Sequence, residues 1–147
     1  MRGKYFFVRF EIHPQLLTDC HRLGRFAFCH VLLNKNGALP WFILVPQTST
    51  TELLDLAEEQ RTTAINEAAV IGKFIKRHLG YGKINFAAIG NVVPQLHLHV
   101  IGRKPDDPCW PAPVWGHLTE SREYAASRVE EVRQLLVHEC SLLKAEP

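Results

Sequence analysis

The sequence of 147 residues lacks the features that define several classes of protein. It has only four cysteines, at positions 20, 29, 109 and 140, and they form no C-x-x-C pair and no zinc-ribbon spacing. Its longest uninterrupted apolar run, Trp41 to Val45, falls far short of the roughly 20 residues that a membrane-spanning helix needs. The sequence therefore predicts no disulfide framework and no membrane span, and we expect free, buried thiols in a reducing compartment.

A strong excess of charge is also missing. Seventeen Lys and Arg residues stand against fifteen Asp and Glu residues, which gives a net charge of +2. This balance disfavours a protein that binds polymeric nucleic acid or a membrane surface. The N-terminus begins basic, but Arg9 and Glu11 interrupt its apolar stretch and no small-residue cleavage site follows, so a secretory signal is not expected. The sequence predicts a cytoplasmic protein.

The chain alternates between strand-like and helix-like patterns. Asn36-Gly37 predicts a tight hairpin turn, because both residues tolerate positive φ. Ser49 and Glu52 fit a capping box for a long helix, with a break around Gln60-Arg61, and Gly80 and Gly82 end that helix. A short helix from Pro14 and a second amphipathic helix at the C-terminus are also expected. Five strands are predicted, over residues 6–12, 26–33, 39–45, 84–89 and 96–101.

This order of elements predicts an α+β domain. The sheet is expected to be antiparallel with about five strands, packed against one long helix and a C-terminal helix. The length matches a single domain that covers residues 1–147.

The informative stretch runs from Pro94 to Ile101 and carries Gln95, His97 and His99 at alternate positions. Alternate side chains of a strand share a face, so these three are expected to line one face while the apolar residues between them pack under the helices. A row of polar groups on an otherwise apolar strand is costly unless that face meets solvent, a ligand or polar partners. The pattern therefore indicates the floor of a site.

This stretch resembles the signature of the histidine triad (HIT) superfamily of nucleotide hydrolases and transferases, His-φ-His-φ-His-φ-φ, in which φ is apolar. Gln95 stands in the first histidine position. The resemblance covers about residues 26–104, and residues 105–147 add a loop rich in Pro and Trp and the C-terminal helix. With Gly90-Asn91 before the signature, the sequence is similar to an uncharacterised bacterial branch. HIT proteins are commonly homodimers whose sheets join, so the resemblance implies a homodimer.

The resemblance implies a role for each of five residues. His97 would attack the α-phosphorus of a nucleotide and form a nucleotidyl-histidine, and His99 would donate to phosphate oxygens or to the leaving group. Gln95 would help to orient the nucleophile, Asn91 would contact phosphate, and Asn34 would bind the ribose hydroxyls. The partner is then a small nucleotide, either a dinucleoside polyphosphate or a nucleoside phosphoramidate, and neither a cofactor nor a metal ion is required.

Departures from the family pattern leave a non-catalytic nucleotide-binding protein as an alternative. Val92 stands where relatives often have a Ser or Thr that donates to the leaving group, and the loss of such a donor weakens transition-state stabilisation. Trp41-Phe42 stands where relatives have a further histidine. A third alternative is a metal-dependent hydrolase that uses His97 and His99, with a third ligand from Cys29, His30, Asp107 or Cys109.

Several of these residues also have purely structural interpretations. Asn34 fits a turn residue as well as a ribose ligand, and Asn91 fits a loop cap as well as a phosphate ligand. Arg103 fits either an anion-attracting position or a solvated surface. Trp110 and Trp115 fit packing residues as well as covers for a nucleobase or a dimer partner.

Overall fold

A computed structural model describes residues 9–145 and contains one antiparallel sheet of six strands. The strand order is β4-β5-β3-β2-β1-β6, so every strand pairs with neighbours of opposite direction. This architecture confirms the predicted α+β class. The elements in chain order are α1 (Pro14–Asp19), β1 (Cys20–Arg25), β2 (Cys29–Asn34), β3 (Trp41–Pro46), a 3-10 turn (Leu53–Asp55), α2 (Glu58–Phe74), a π-helical turn (Ile75–Leu79), β4 (Lys83–Ala88), β5 (Leu98–Arg103), α3 (Ala126–Cys140) and β6 (Leu143–Lys144).

The two faces of the sheet are covered differently. Helices α2 and α3 pack on one face, where alternate residues of β3 and β5 such as Phe42, Leu44, Leu98 and Val100 are buried. The other face carries Ile43 opposite His99, and the short helix α1 covers only part of it. Period-two alternation in the strands thus separates a fully packed face from a face that is left partly open.

The strand predictions need correction at the first strand and in the number of strands. The strand expected over 6–12 lies partly outside the described residues, and its described part, residues 9–12, has no regular structure. Strands β1 and β6 were not predicted, because β1 mixes polar and apolar residues and β6 has only two residues.

The tight turn predicted at Asn36-Gly37 is not formed. The connection between β2 and β3 spans residues 35–40, and neither Asn36 nor Gly37 has positive φ. Side-chain oxygens of Asn34 and Asn36 accept backbone N–H groups there instead.

The long helix begins later than its capping box predicts. Helix α2 starts at Glu58 after an N-cap residue Ala57, so Ser49 and Glu52 do not cap it, and the interruption precedes Gln60-Arg61. The helix ends as predicted, because Gly80 adopts the left-handed conformation directly after the π-helical turn.

No helix within residues 9–145 is long and apolar enough to cross a membrane. All four cysteines are free, and Cys20 and Cys29 are buried.

A buried ion pair organises the loop that follows β5. The side chains of Arg103 and Asp107 are 1% and 0% exposed, and two guanidinium nitrogens donate to the carboxylate at 2.7 and 3.1 Å. Burial alone would raise the pKa of Asp107, but hydrogen bonds from Arg103 and from the backbone N–H groups of Lys104 and Cys109 outweigh it and lower that pKa. Arg103 is therefore neither solvated nor free to attract an anion, unlike either sequence interpretation.

The same guanidinium reaches both ends of the loop. It donates to the Asn85 side chain on β4 at 2.9 Å and to the Ala112 carbonyl at 2.9 Å, and it lies over the Trp110 ring at 5.8 Å. Arg103 thus fixes a Pro-rich segment that has no regular structure, and that segment places Trp115 against the open face of the sheet.

We expect Asp107→Asn to lower the free energy of unfolding by about 3 kcal/mol, because it leaves the buried charge of Arg103 without its counter-ion. Chemical denaturation followed by tryptophan fluorescence measures this loss. Asp106→Asn is the matched control, since the Asp106 side chain is 82% exposed and its contact with Lys104 is a surface ion pair. Equal stability of the two variants would contradict a structural role for the buried pair.

Candidate functional site

The open face of the sheet forms the floor of a cavity of about 350 Å³. Its wall combines the helix α1, strands β2, β3 and β5, the loop before β5 and the Pro-rich loop after it. The lining residues are Gln15, Leu16, Asp19, Asn34, Trp41, Ile43, Ile89, Asn91, Val92, Val93, His97, His99 and Trp115. Four of the five predicted site residues therefore meet in one cavity, and Gln95 is not among its lining residues.

His97 precedes β5 by one residue and is buried, with 7% of its surface exposed. Its Nδ1 atom lies 2.7 Å from the backbone carbonyl oxygen of Gln95. A carbonyl oxygen can only accept, so in the neutral ring Nδ1 carries the hydrogen. Nε2 then carries a lone pair and no hydrogen. This geometry suits a nucleophile, because in this tautomer the reactive Nε2 carries a lone pair and no hydrogen.

The Gln95 side chain bonds the segment before α1 and not the ring of His97. Its amide nitrogen donates to the Glu11 carbonyl at 2.9 Å, and its amide oxygen accepts from the His13 backbone N–H at 2.8 Å. Gln95 therefore holds residues 11–13 beside the segment that leads into β5, through two hydrogen bonds to their backbone. The next residue, Pro14, opens α1, so this tie also holds the helix that forms one wall of the cavity.

His99 lies beside His97, with the two ring centroids 5.0 Å apart and the planes at 72°. Its Nδ1 atom accepts a hydrogen bond of 2.9 Å from the indole N–H of Trp41, and the Trp115 ring meets it edge to face at 5.0 Å. Burial, and to a smaller extent the neighbouring His97, lowers the pKa of His99 to about 4, and a hydrogen bond to the Ile89 backbone opposes this shift. His99 is consequently uncharged at neutral pH.

Both asparagines line the cavity. The Asn34 side-chain oxygen accepts from the backbone N–H of Asn36 at 2.9 Å, so this residue makes the turn that one interpretation predicts. That bond uses only the oxygen, and the amide group keeps its two N–H donors. Asn91 is exposed in the loop before β5, next to Val92, which is 90% exposed.

The residues that would complete a metal site are engaged elsewhere. Asp107 pairs with Arg103, and Cys109 lies against the same guanidinium. His30 bonds the Gln47 side chain, and the buried Cys29 thiol bonds the Glu67 carboxylate. Within residues 9–145, no group of three or more His, Cys, Asp or Glu side chains is placed to hold a metal ion. The donor set therefore gives the metal-dependent alternative no support.

Two parts of the cavity were missed from the sequence. Trp41 was noted only as the replacement of a family histidine, and nothing in its spacing signals a hydrogen bond to His99. The residues of α1 were read as a short helix with an apolar face, although Gln15 and Asp19 lie four residues apart and bond each other at 3.0 and 3.1 Å. Two polar side chains four residues apart, next to the apolar Leu16, are the sequence pattern that could have predicted a helix bordering a ligand site.

The fold and the cavity define a protein of the histidine triad class. Residues 16–106 match the HIT domain family, and the chain belongs to that family. No curated protein sequence shows significant similarity to it.

Solved structures of bacterial histidine triad proteins are similar over most of the chain. A histidine triad protein from Marinobacter aquaeolei VT8 is 39% identical, with a TM-score of 0.80 over 86% of this chain and 93% of that one. One from Bradyrhizobium japonicum is 33% identical, with a TM-score of 0.81 over 88% and 96%. One from Sinorhizobium meliloti 1021 is 31% identical, with a TM-score of 0.82 over 88% and 96%.

We expect Gln95→Ala to release residues 11–13, because the variant loses both side-chain hydrogen bonds that hold them. Amide hydrogen exchange at His13 should become faster, and the free energy of unfolding should fall by about 1 kcal/mol. Gln134→Ala is the control, since Gln134 is also exposed but contacts only Glu130 within α3. Unchanged protection at His13 would show that the side chain of Gln95 does not hold this segment.

Proposed function

We propose that the protein is a nucleotide hydrolase or nucleotidyl transferase that uses His97 as its nucleophile. The observation that carries this proposal is the bond between Nδ1 of His97 and the Gln95 carbonyl, at the floor of the cavity. It leaves Nε2 with a lone pair in a buried, mainly apolar surrounding, where a neutral imidazole is a competent nucleophile.

The reaction would proceed in two displacements at phosphorus. Nε2 of His97 attacks the α-phosphorus, the bond from phosphorus to the leaving group breaks, and the leaving group takes a proton from solvent. Water or another acceptor then attacks the phosphorus of the nucleotidyl-histidine and gives up a proton to solvent, the bond from phosphorus to Nε2 breaks, and His97 is released unchanged. His99 stands beside the nucleophile, where an N–H group can stabilise charge on the phosphate oxygens.

The remaining lining residues suit a nucleoside monophosphate unit. The cavity volume of about 350 Å³ lies within the range of small-molecule sites. Apolar side chains of Leu16, Ile43 and Trp115 can contact a nucleobase, while the free amide hydrogens of Asn34 can donate to a ribose hydroxyl. Asn91, in the loop beside the histidines, can donate to a phosphate oxygen.

The charge of the cavity bears on the choice of substrate. In the part of the chain that the structure describes, none of the residues that line it is Lys or Arg, and Asp19 adds a carboxylate. A polyphosphate chain carries several negative charges that this wall does not neutralise. A phosphoramidate, with a single charged phosphorus centre, fits the cavity better than a dinucleoside polyphosphate.

A second candidate function is nucleotide binding without turnover. It is favoured by Val92, an exposed apolar side chain at the cavity mouth, where a hydroxyl would be able to donate to the leaving group. The absence of one donor of this kind slows reactions by about 10²–10³-fold in other enzymes. The experiment on His97 below separates this candidate from the enzyme.

We also propose a homodimer formed through β4. This strand lies at one edge of the sheet, and within residues 9–145 its only strand partner is β5. Phe86 on β4 and Ile65 on α2 are 43% and 40% exposed and border an apolar groove of about 210 Å³. An unpaired edge beside exposed apolar side chains favours association with another strand, and a second copy of β4 would extend the sheet.

We expect the wild-type protein to form a nucleotidyl adduct on His97 when it is mixed with an adenosine phosphoramidate. His97→Ala should form no adduct and should release nucleotide about a thousandfold more slowly or worse, because the nucleophile is missing. Mass spectrometry of rapidly quenched, non-acidified samples detects the adduct, and product release gives the rate. His138→Ala is the control, since His138 is exposed on α3 and remote from the cavity.

Three outcomes of this experiment are distinct. Adduct and turnover in the wild type, both lost in His97→Ala, support the enzyme. Nucleotide binding with neither adduct nor product in the wild type supports the binding protein. Equal turnover in the wild type and in His97→Ala contradicts His97 as the nucleophile.

For the dimer, we expect Phe86→Asp to weaken association about a hundredfold, because it buries an unpaired charge at the interface. Sedimentation or light scattering over a range of protein concentrations gives the dissociation constant. Leu143→Asp is the control, since Leu143 is 56% exposed and lies on β6, at the opposite edge of the sheet from β4. A wild-type protein that stays monomeric at high concentration, or a Phe86→Asp variant that stays dimeric, would refute this interface.

A further inference from the structure

The indole of Trp41 constrains the chemistry of His99. Trp41 begins β3, and its Nε1 atom lies 2.9 Å from Nδ1 of His99. An indole N–H can only donate, so Nδ1 of His99 has to accept with its lone pair. A second hydrogen placed on the ring would sit on Nδ1 and would face the indole hydrogen. Protonation of His99 therefore requires this contact to break.

We propose that Trp41 is a positioning residue that fixes His99 as the neutral tautomer with its hydrogen on Nε2. His99 then serves as an uncharged hydrogen-bond donor and not as a charged acid. Only the phosphate oxygen that this donor would contact rests on the proposed function. The tautomer itself is a property of the free protein.

The two cavity histidines are then held in opposite tautomers. The Gln95 carbonyl places the hydrogen of His97 on Nδ1, while the indole of Trp41 keeps Nδ1 of His99 free of hydrogen. One ring therefore has a lone pair at Nε2, and its neighbour has an N–H group at Nε2, where the Ile89 backbone carbonyl is its acceptor in the free protein. The two ring centroids lie only 5.0 Å apart, so the candidate nucleophile and the uncharged donor lie side by side.

The groups around His99 are consistent with an uncharged ring. On the neighbouring strands its sheet partners are Ile43 and Ala87, and neither carries a charge. Asp19 of α1 lines the same cavity, and its carboxylate would favour a charged ring. Burial and the nearby His97 act against a charged ring and hold the pKa of His99 at about 4, far below its ordinary value of 6.5.

Trp115 provides a matched comparison for Trp41. Its ring also meets His99 edge to face, at 5.0 Å and 81°, and it meets the Trp41 ring at 5.7 Å. Of these two tryptophans, only Trp41 donates a hydrogen bond to the imidazole of His99. Replacing each indole with a phenyl ring keeps an aromatic contact in both variants and removes the donor to His99 in one of them.

Nitrogen NMR of histidine-labelled protein, recorded without nucleotide from pH 4.5 to 8, reads the tautomer directly. His99→Gln identifies the resonances. In the wild type and in Trp115→Phe we expect an Nδ1 without hydrogen, an Nε2 with hydrogen, and a neutral ring at pH 5. In Trp41→Phe we expect mixed tautomers and a titration midpoint about one pH unit higher, because the neutral form loses its hydrogen bond.

Adduct formation gives a second readout. In Trp41→Phe the dependence of its rate on pH should change below about pH 6, where His99 starts to become charged, and in Trp115→Phe it should keep the wild-type shape. A wild-type His99 with hydrogen on Nδ1 would overturn the proposal, and so would a Trp41→Phe variant with the wild-type tautomer and titration. Failure of the proposed function would be seen separately, as a missing adduct with the NMR result intact.

Discussion

The hydrogen bond from the His97 ring to the Gln95 carbonyl is the contact on which the site depends. It uses a backbone oxygen, so its geometry follows from the path of the chain into β5 and not from the identity of a side chain. This leaves the Gln95 side chain free to hold residues 11–13. One residue thereby orients the candidate nucleophile through its main chain and fastens the cavity wall through its amide.

The opposite wall depends on a residue that never reaches the cavity. Arg103 is the last residue of β5 and is buried under the loop that it organises, and the loop in turn places Trp115 beside His99. Strand β5 thus has the candidate site residue His99 near its start and the buried, structural Arg103 at its end. Because a buried charge without its partner is strongly destabilising, the order of the loop is coupled to the stability of the fold.

Much of the fold followed from local patterns. The alternation around His97 and His99 placed both rings on the open face and their apolar neighbours against α2, because a strand repeats every two residues. The start of α2 and the tight turn at Asn36-Gly37 were wrong, since the motifs that suggested them also occur in other loops. The bond from Trp41 to His99 and the burial of Arg103 join residues far apart in sequence, and no local pattern encodes such contacts.

The residue composition of the cavity wall has a kinetic consequence. Its amides, imidazoles, indoles and one carboxylate offer an incoming anion little attraction, because the lining residues within 9–145 include no Lys or Arg. Encounter is then governed by ordinary diffusion and by the fit of the molecule after contact. Capture of ligand should consequently change little between dilute buffer and physiological salt, and discrimination among nucleotides should appear mainly in how long each one stays bound.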